Sequence, residues 1–178
     1  MGSSPGTSAG RCLLLTGTVG SGKTTTAHAV GEALRLRGVP HMVVDLDELA
    51  RMWPAPPGDP FREALGRANL AAVAANGIAA GATTLVLAGV VEGPVGVAAV
   101  AEAVGVPLVV CRLRVPIDLV RKRLITRHEA GAARDWHLER SAELDEILNR
   151  ELQADHVVTV GDDDASAVAH EVLTQVGW

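Results

Sequence analysis

Short, nearly unbroken apolar runs alternate along the chain with longer segments in which apolar residues recur every three or four positions. The short runs are typical of strands buried on both faces of a parallel sheet, and the longer segments are typical of amphipathic helices. The predicted strands are residues 12–17, 41–46, 83–91, 107–115 and 155–160. The predicted helices are residues 22–37, 59–81, 95–105, 116–128, 139–152 and 164–176.

This alternation of strand and helix limits the possible folds. Parallel strands need crossover connections, which are right-handed and place helices against the sheet. We therefore predict a three-layer α/β domain in which a five-stranded parallel sheet carries helices on both faces. Residues 54–60 and 129–136 interrupt the periodicity. We predict that both are mobile loops beside the functional site, the second forming a short lid.

Length and composition are those of one small domain. The 178 residues suffice for a sizeable core, so we expect a single domain at residues 11–178, preceded by a flexible segment at residues 1–10. The formal net charge is −5 and the 16 lysines and arginines are scattered along the chain. This pattern disfavours a protein that coats nucleic acid, and the expected ligands are small molecules.

The sequence has neither the pattern of a membrane anchor nor that of a secretory signal. No segment approaches the roughly 20 apolar residues of a membrane span, and the first residues lack the charged start and apolar stretch of a signal peptide. A cytoplasmic protein without membrane contact is expected. Cys12 and Cys111 lie inside strand-like runs without metal-ligand spacing, so we interpret both as small core residues.

One motif carries specific chemistry. Residues 17–24 fit the pattern G-x-x-x-x-G-K-[ST] between the first predicted strand and the first predicted helix. Glycines allow consecutive N–H groups to curl around a phosphate, and the N-terminus of the helix directs its positive dipole at the anion. The sequence therefore predicts a P-loop that binds a nucleotide. The predicted contacts are Gly17, Val19, Gly20, Ser21, Gly22, Lys23, Thr24 and Thr25.

Two side chains of this motif have distinct expected roles. Lys23 places its charge on the β- and γ-phosphates and takes part in catalysis, while the Thr24 hydroxyl binds Mg²⁺. ATP and Mg²⁺ are thus the expected cofactors. An incidental glycine-rich turn would also satisfy the spacing, but the strand before it and the amphipathic helix after it favour phosphate binding.

The carboxylates expected beside the phosphates follow the second strand. The third predicted strand reaches Gly89 at the position where many P-loop proteins have an aspartate for Mg²⁺. Asp45 and Asp47 instead leave the carboxyl edge of the sheet, where open α/β sheets bind ligands. We assign Asp47 as the catalytic base that contacts the acceptor hydroxyl, and Asp45 to the metal. The exchanged assignment stays open, as does the alternative that these acids merely begin a helix.

These residues resemble two families of small kinases. The segments "GTVGSGKTTTAHAVGEALRLRG" and "VVDLDELAR" look like adenylylsulfate kinase, which likewise lacks the acid of the third strand. The segments "LDEL" and "DPFREALGRANLAAVAANGIAAGATTLVL" are similar to chloramphenicol phosphotransferase, which implies that Asp47 is the general base. Both resemblances imply a P-loop fold and phosphorylation of a hydroxyl group on a small molecule.

The chain departs from both families at one turn. Residues 89–94, "GVVEGP", stand in place of the "SPY"-like turn of adenylylsulfate kinases, and the acids of the chloramphenicol enzyme at that strand are missing. The acceptor of neither family can therefore be transferred to this chain.

Arginines form a further candidate constellation. Arg123 and Arg127 are four residues apart on one helix face, with Arg121 and Arg134 nearby. A guanidinium group stabilises the charge that phosphoryl transfer moves onto the phosphate oxygens, so Arg123 and Arg127 are predicted to bind the nucleotide and to act in catalysis. A solvated basic face is the alternative, because nearly all of the chain's basic residues are arginines.

The acceptor contacts are expected on the long alanine-rich helix. Arg62, Asn69 and Asn76 are spaced by seven and share one stripe of that helix. We predict that Arg62 and Asn69 bind the acceptor together with Asp47, the alternative being that they face water. Trp53 and Trp136 lie beside the two predicted loops and either stack on a ring or pack within the protein.

Two classes of function fit these features. The first is an ATP-dependent kinase for a hydroxyl of a small molecule, such as an antibiotic, a biosynthetic intermediate or a metabolite. The second is a non-catalytic ATP-binding regulatory module, and within enzymes a nucleotide or nucleoside kinase is the rival. Asp47 favours the kinase, because a sensor needs no carboxylate facing the γ-phosphate. The sequence leaves open the acceptor, the choice between ATP and GTP, and the choice between monomer and homodimer.

Overall fold

The structure, a computed structural model, describes residues 10–127 and 131–178, and of Arg127 and Ala133 it describes only the backbone. The strands are β1 (Arg11–Thr16), β2 (His41–Asp45), β3 (Thr84–Ala88), β4 (Leu108–Arg114) and β5 (His156–Thr159). The helices are α1 (Lys23–Leu36), α2 (Leu46–Leu49), α3 (Glu63–Ala79), α4 (Gly93–Val104), α5 (Ile117–Arg127), α6 (Ala132–Glu151) and α7 (Ala165–Gln175). The segment at residues 1–10, predicted to be flexible, lies outside the described residues except for Gly10.

The five strands form one parallel sheet in the order β2-β3-β1-β4-β5. Strand β1 occupies the centre, where Arg11 is paired with Thr84 of β3 and Cys12 with Leu108 of β4. Because every connection between parallel neighbours must cross over, helices lie against the sheet. The predicted five-stranded parallel sheet is confirmed.

Alternate residues of β1 belong to two separate cores. Leu13 and Leu15 pack in the cluster that contains buried residues of α1 and α7, whereas Cys12 and Leu14 pack in the cluster with buried residues of α3 and α4. Successive side chains of a strand point to opposite faces, so a strand buried on both faces is apolar throughout. This confirms the three layers that the apolar runs predict.

Both cysteines are core residues, as expected. Cys12 and Cys111 are fully buried and free of disulfides. Burial raises the pKa of each thiol to about 12. The thiols are therefore protonated at neutral pH and behave as small apolar side chains.

The largest differences between predicted and observed helix boundaries are at α3 and α6. Helix α3 begins at Glu63 instead of residue 59, because the Asp59 carboxylate accepts hydrogen bonds from the N–H groups of Glu63 (2.8 Å) and Leu65 (3.0 Å) and so caps the first turn. The predicted loop at residues 54–60 lies in the irregular connection between α2 and α3.

The second loop prediction was wrong in part. Residues 132–136 belong to the first turns of α6, which begins at Ala132 rather than at residue 139. Residues 129 and 130 of that predicted lid lie outside the described part of the chain. Of the helices in residues 10–127 and 131–178, none is long and apolar enough to span a membrane.

Candidate active site

The loop between β1 and α1 lies close against strand β4. Gly17 has φ 153°, and a Cβ at this position would lie 2.5 Å from the backbone oxygen of Leu113 in β4. No side chain fits such a separation, so glycine is required at this position. The strand that leads into the loop and the helix that follows it have the arrangement that the P-loop motif predicts.

Buried hydroxyl groups hold this loop in place. The Thr18 hydroxyl donates a 2.6 Å hydrogen bond to the backbone oxygen of Ser141 in α6. Ser21 is also buried, and within the described residues its Oγ has no hydrogen-bond partner. A buried polar group without a partner is costly unless a ligand satisfies it. The Ser21 hydroxyl therefore fits a loop that closes around an anion.

Lys23 lies folded back on the loop that precedes it. Its Nζ donates to the backbone oxygens of Gly17 (3.1 Å) and Thr18 (2.9 Å). Desolvation lowers the pKa of Lys23 to about 8, while the carboxylates of Asp47 and Asp45 act in the opposite direction. Lys23 is thus a partly desolvated cation held by neutral carbonyl groups that an anionic ligand can replace.

The end of β2 brings its carboxylates to the start of α1. Asp45 accepts a 2.7 Å hydrogen bond from the Thr24 hydroxyl through Oδ2, and through Oδ1 it accepts the backbone N–H of Asp47 at 3.0 Å. The second bond caps the short helix α2, which the prediction included only as an alternative role for these acids. Asp45 therefore caps a helix and also contacts the expected metal ligand Thr24.

Asp47 lies at the mouth of the same cleft. Its side chain lines the cleft and is exposed to solvent, and the charges of Lys23 and Asp45 act on its carboxylate. Desolvation raises its pKa, Asp45 raises it further, and Lys23 acts to lower it. A carboxylate with a raised pKa accepts a proton more readily near neutral pH than an ordinary aspartate does.

A cleft of about 660 Å³ contains these groups. Its lining includes seven of the predicted P-loop residues, together with Asp45, Asp47 and Arg123. The prediction missed the opposite wall, formed by Val160, Asp163, Ala165 and Val168 after β5. The signal was available, because the loop after β5 also leaves the carboxyl edge of the parallel sheet.

Gly89 explains why no acid follows β3. A Cβ at Gly89 would lie 2.8 Å from both Cβ and Cδ1 of Leu46, the first residue of α2. The segment that carries Asp45 and Asp47 thus packs directly on the end of β3. An aspartate at position 89 would displace that segment, so the carboxylates of the site come from β2 and α2.

The structure places the side chains of some of the predicted arginines but not that of Arg127. Arg123 lines the cleft and donates a 2.5 Å hydrogen bond to the backbone oxygen of Gly161, so the structure places it beside the P-loop. The side chain of Arg127 lies outside what the structure describes, and its role stays a prediction. Arg121 is 3.7 Å from Asp118, and the Arg134 Nε is 3.9 Å from an oxygen of Asp135.

The predicted acceptor residues of α3 contact the backbone. The Arg62 Nε donates a 2.6 Å hydrogen bond to the Met52 oxygen, and the Asn69 amide donates a 2.7 Å bond to the Leu49 oxygen. Both side chains hold the segment between α2 and α3 in place. Their contact with an acceptor stays a prediction.

The remaining candidates of this region are exposed. The Asn76 side chain faces solvent. Trp53 is 90% exposed and Trp136 is 57% exposed, with its ring edge-on to His137 at 4.9 Å.

The residues present fit a nucleotide with Mg²⁺. Lys23, the unpartnered Ser21 hydroxyl and the loop N–H groups suit phosphate, while Thr24 and Asp45 supply oxygen ligands of the kind that Mg²⁺ prefers. Among the described residues, no group of three or more His, Cys, Asp or Glu side chains could hold a metal ion. Mg²⁺ typically needs only one or two protein ligands beside the substrate phosphates.

Comparison with known proteins agrees with this geometry. Residues 13–150 match the model of a family described as an AAA domain. The chain belongs to this family. By sequence, no curated protein is similar enough to this P-loop domain to count as a relative.

Solved structures share the fold at low sequence identity. The APS kinase of Mycobacterium tuberculosis in complex with AMPPNP and APS has a TM-score of 0.64 and 20% identity, covering 96% of this chain and 99% of that one. The tunicamycin resistance protein of Deinococcus radiodurans has a TM-score of 0.66 and 20% identity, with coverages of 94% and 96%. A gluconokinase from Sinorhizobium meliloti 1021 has a TM-score of 0.64 and 20% identity, with coverages of 96% and 93%.

Proposed function

We propose that this P-loop domain is an ATP-dependent kinase that transfers the γ-phosphate to a hydroxyl group of a small molecule. One observation carries the proposal: the Asp47 carboxylate and the Lys23 ammonium line the same cleft and perturb each other's pKa. A module that only binds ATP has no need for a proton acceptor at this position. The kinases among the structures of similar fold, acting on APS and gluconate, support the same class of reaction.

Different residues of the cleft act on ATP and on the acceptor. When ATP binds, the Lys23 ammonium exchanges the backbone oxygens of Gly17 and Thr18 for phosphate oxygens, and Arg123 lies on the opposite side of the cleft. Mg²⁺, when bound, supplies positive charge to the β- and γ-phosphate oxygens. Thr24 and Asp45 are the side chains that would hold it.

Asp47 acts on the acceptor. The acceptor oxygen attacks the γ-phosphorus as the bond from that phosphorus to the β–γ bridging oxygen breaks, and Asp47 takes the hydroxyl proton. ADP and the phosphorylated acceptor are the products. Because protonated Asp47 cannot act as the base, activity is lost as the pH falls through its raised pKa. We expect the protein to work in the cytoplasm on a small-molecule acceptor.

The test is the substitution Asp47→Asn. The amide keeps the size of the side chain but cannot accept the proton, so transfer should fall by roughly two to four orders of magnitude while ATP affinity is largely retained. Transfer is measured as ADP formation and as the ³¹P NMR signal of the product, using a panel of nucleosides, polyols, hydroxy acids and uncharged aryl alcohols. Asp118→Asn, at an exposed position of α5, is the matched control.

The possible results separate the candidate roles. Undiminished transfer by Asp47→Asn contradicts the base assignment. Loss of ATP binding without a separate effect on transfer indicates a metal role, and a larger loss in Asp45→Asn indicates that the two roles are exchanged. Wild-type protein that binds ATP and transfers phosphate to no compound of the panel favours the regulatory module.

A further inference from the structure

A second cavity, of about 330 Å³, lies at the outer edge of the sheet beside β2. Its walls come from α1, β2, α2, α3 and the end of β3. Most of them are apolar side chains: Ala27, Met42, Val43, Leu49, Val73 and Ala88. A mainly apolar cavity of this size, with a few polar groups at one end, is typical of small-molecule sites.

This cavity adjoins the phosphate cleft. Thr24, Asp45 and Glu48 line both. A molecule that fills the apolar cavity therefore ends beside the Thr24 hydroxyl and the Asp45 carboxylate. Asp47 is two residues from Asp45 and lines the adjoining cleft. The connection places one end of the occupant where phosphoryl transfer would occur.

The charges of the two cavities differ. The cleft contains the cations Lys23 and Arg123, whereas no lysine or arginine lines the apolar cavity within the described residues. The ionisable side chains that line it are the carboxylates Asp45 and Glu48 and the imidazole of His28. Glu48 is paired with Arg51 at 3.0 Å. The Nε of Arg62, the cation predicted to bind the acceptor, donates to the Met52 oxygen. An anionic group placed against the apolar walls would have no lysine or arginine beside it, so its burial there would be costly.

We propose that the acceptor is an uncharged molecule whose apolar body fills this cavity and whose hydroxyl group emerges between Asp45 and Asp47. The inference rests on the proposed kinase function, and it selects one class of substrate for that site. Acceptors that would bury a carboxylate or a phosphate among the apolar walls are disfavoured, because no lysine or arginine lines that part of the site within the described residues.

Binding is tested first without turnover. Ligand-detected NMR measures the affinity for 3-phenyl-1-propanol, an uncharged aryl alcohol, and for the anions gluconate and shikimate. The aryl alcohol should bind at least tenfold more tightly than either anion. Equal or tighter binding of an anion overturns the proposal.

Two substitutions on α3 locate the site. Val73→Asp places a charge in the cavity wall and should weaken binding of the aryl alcohol at least tenfold, with ATP affinity changed less than twofold. Val73→Phe fills the cavity with an apolar side chain and should weaken binding to the same extent. It replaces Val73→Asp in the test if the aspartate variant fails to fold. Ala72→Asp, at the next and exposed position, should leave binding unchanged. Similar effects at positions 72 and 73 overturn the proposal.

Turnover separates this inference from the proposed function. The panel of acceptors is assayed for ADP formation with ATP and Mg²⁺. Transfer to uncharged alcohols alone supports both proposals, whereas transfer to gluconate or shikimate alone overturns this one and retains the kinase. Binding of the aryl alcohol that Val73→Asp removes, with no transfer to any compound, retains the cavity as a binding site and overturns the kinase.

Discussion

The P-loop and the segment between α2 and α3 are built in different ways. In the loop, Lys23 and Thr18 are hydrogen-bonded to the backbone, and Gly17 lies against the Leu113 oxygen. The segment between α2 and α3 exposes two aromatic side chains, Trp53 (90%) and Phe61 (81%). Hydrogen bonds from the side chains of Arg62 and Asn69, and those accepted by the Asp59 carboxylate, hold that segment.

The difference reflects what each region must recognise. A triphosphate presents the same charges to every P-loop protein, so a short local sequence suffices to bind it. An acceptor differs from one enzyme to the next, and the cavity proposed for it draws its walls from five separate elements. A single substitution in the P-loop should therefore have a large effect on transfer. Substitutions around the acceptor cavity should act through the packing of its walls.

The largest expected effect is that of Lys23→Ala on the loop. Removing the charge beside the transferring phosphate should lower the transfer rate by about 10³-fold, by analogy with the loss of one preorganised transition-state contact. The fold should persist, because the side chain contributes little to either core. The measurements are ADP formation with the acceptor panel and circular dichroism.

Lys122→Ala is the matched control for this prediction. Lys122 is the other lysine of the chain and is exposed on α5. Its removal should leave the rate within twofold. Equal transfer rates for Lys23→Ala and Lys122→Ala would show that the lysine of the P-loop matters no more for transfer than an exposed lysine of α5.

A smaller effect is expected from pH. The phosphate groups of ATP favour charged Lys23, whose charge is present below its pKa of about 8 and is lost above it. ATP affinity measured in EDTA should therefore fall by roughly tenfold per pH unit above that value. Lys23→Arg keeps its charge throughout and should show no such decline. A wild-type affinity that stays constant to pH 10 contradicts the lowered pKa.

The smallest effect concerns the free energy of unfolding, at the contact between α2 and the end of β3. Gly89→Ala should destabilise the domain by about 1–3 kcal/mol, because its Cβ would lie 2.8 Å from Leu46. Gly66→Ala in α3 should instead stabilise it by about 0.5–1 kcal/mol, since its Cβ would make an ordinary 3.5 Å contact with Ala50. Urea unfolding measures both free energies. Similar values for the two variants would show that Leu46 does not restrict position 89.

Features that depend on residues close together in the sequence could be predicted from it. The P-loop and the five strands were predicted correctly, because each follows from a short pattern of residue types. The carboxylates Asp45 and Asp47 line the cleft, and their roles stay predictions. Asp45 and Thr24 are 21 positions apart, yet their contact could be anticipated since both lie at the carboxyl edge of one parallel sheet.

Contacts between distant segments were not predictable in this way. The cap that Asp59 forms and the bond from Asn69 to the Leu49 oxygen depend on how a loop folds back on a helix. The close approach of Leu46 to Gly89 joins two strand ends that are adjacent only in the folded sheet. The sequence showed that glycine replaces the usual acid there, but the steric reason appears only in three dimensions.

The central position of β1 also sets the order in which the molecule assembles. Both neighbours of this first strand, β3 and β4, are synthesised long after it, and parallel pairing over such separations is slow because the intervening chain must be ordered first. The loop after β1 also needs Leu113 above Gly17 and Ser141 beside Thr18. During synthesis the loop therefore lacks both contacts until Leu113 and Ser141 have left the ribosome, and a ligand of the loop stabilises a state in which β4 and α6 are already in place.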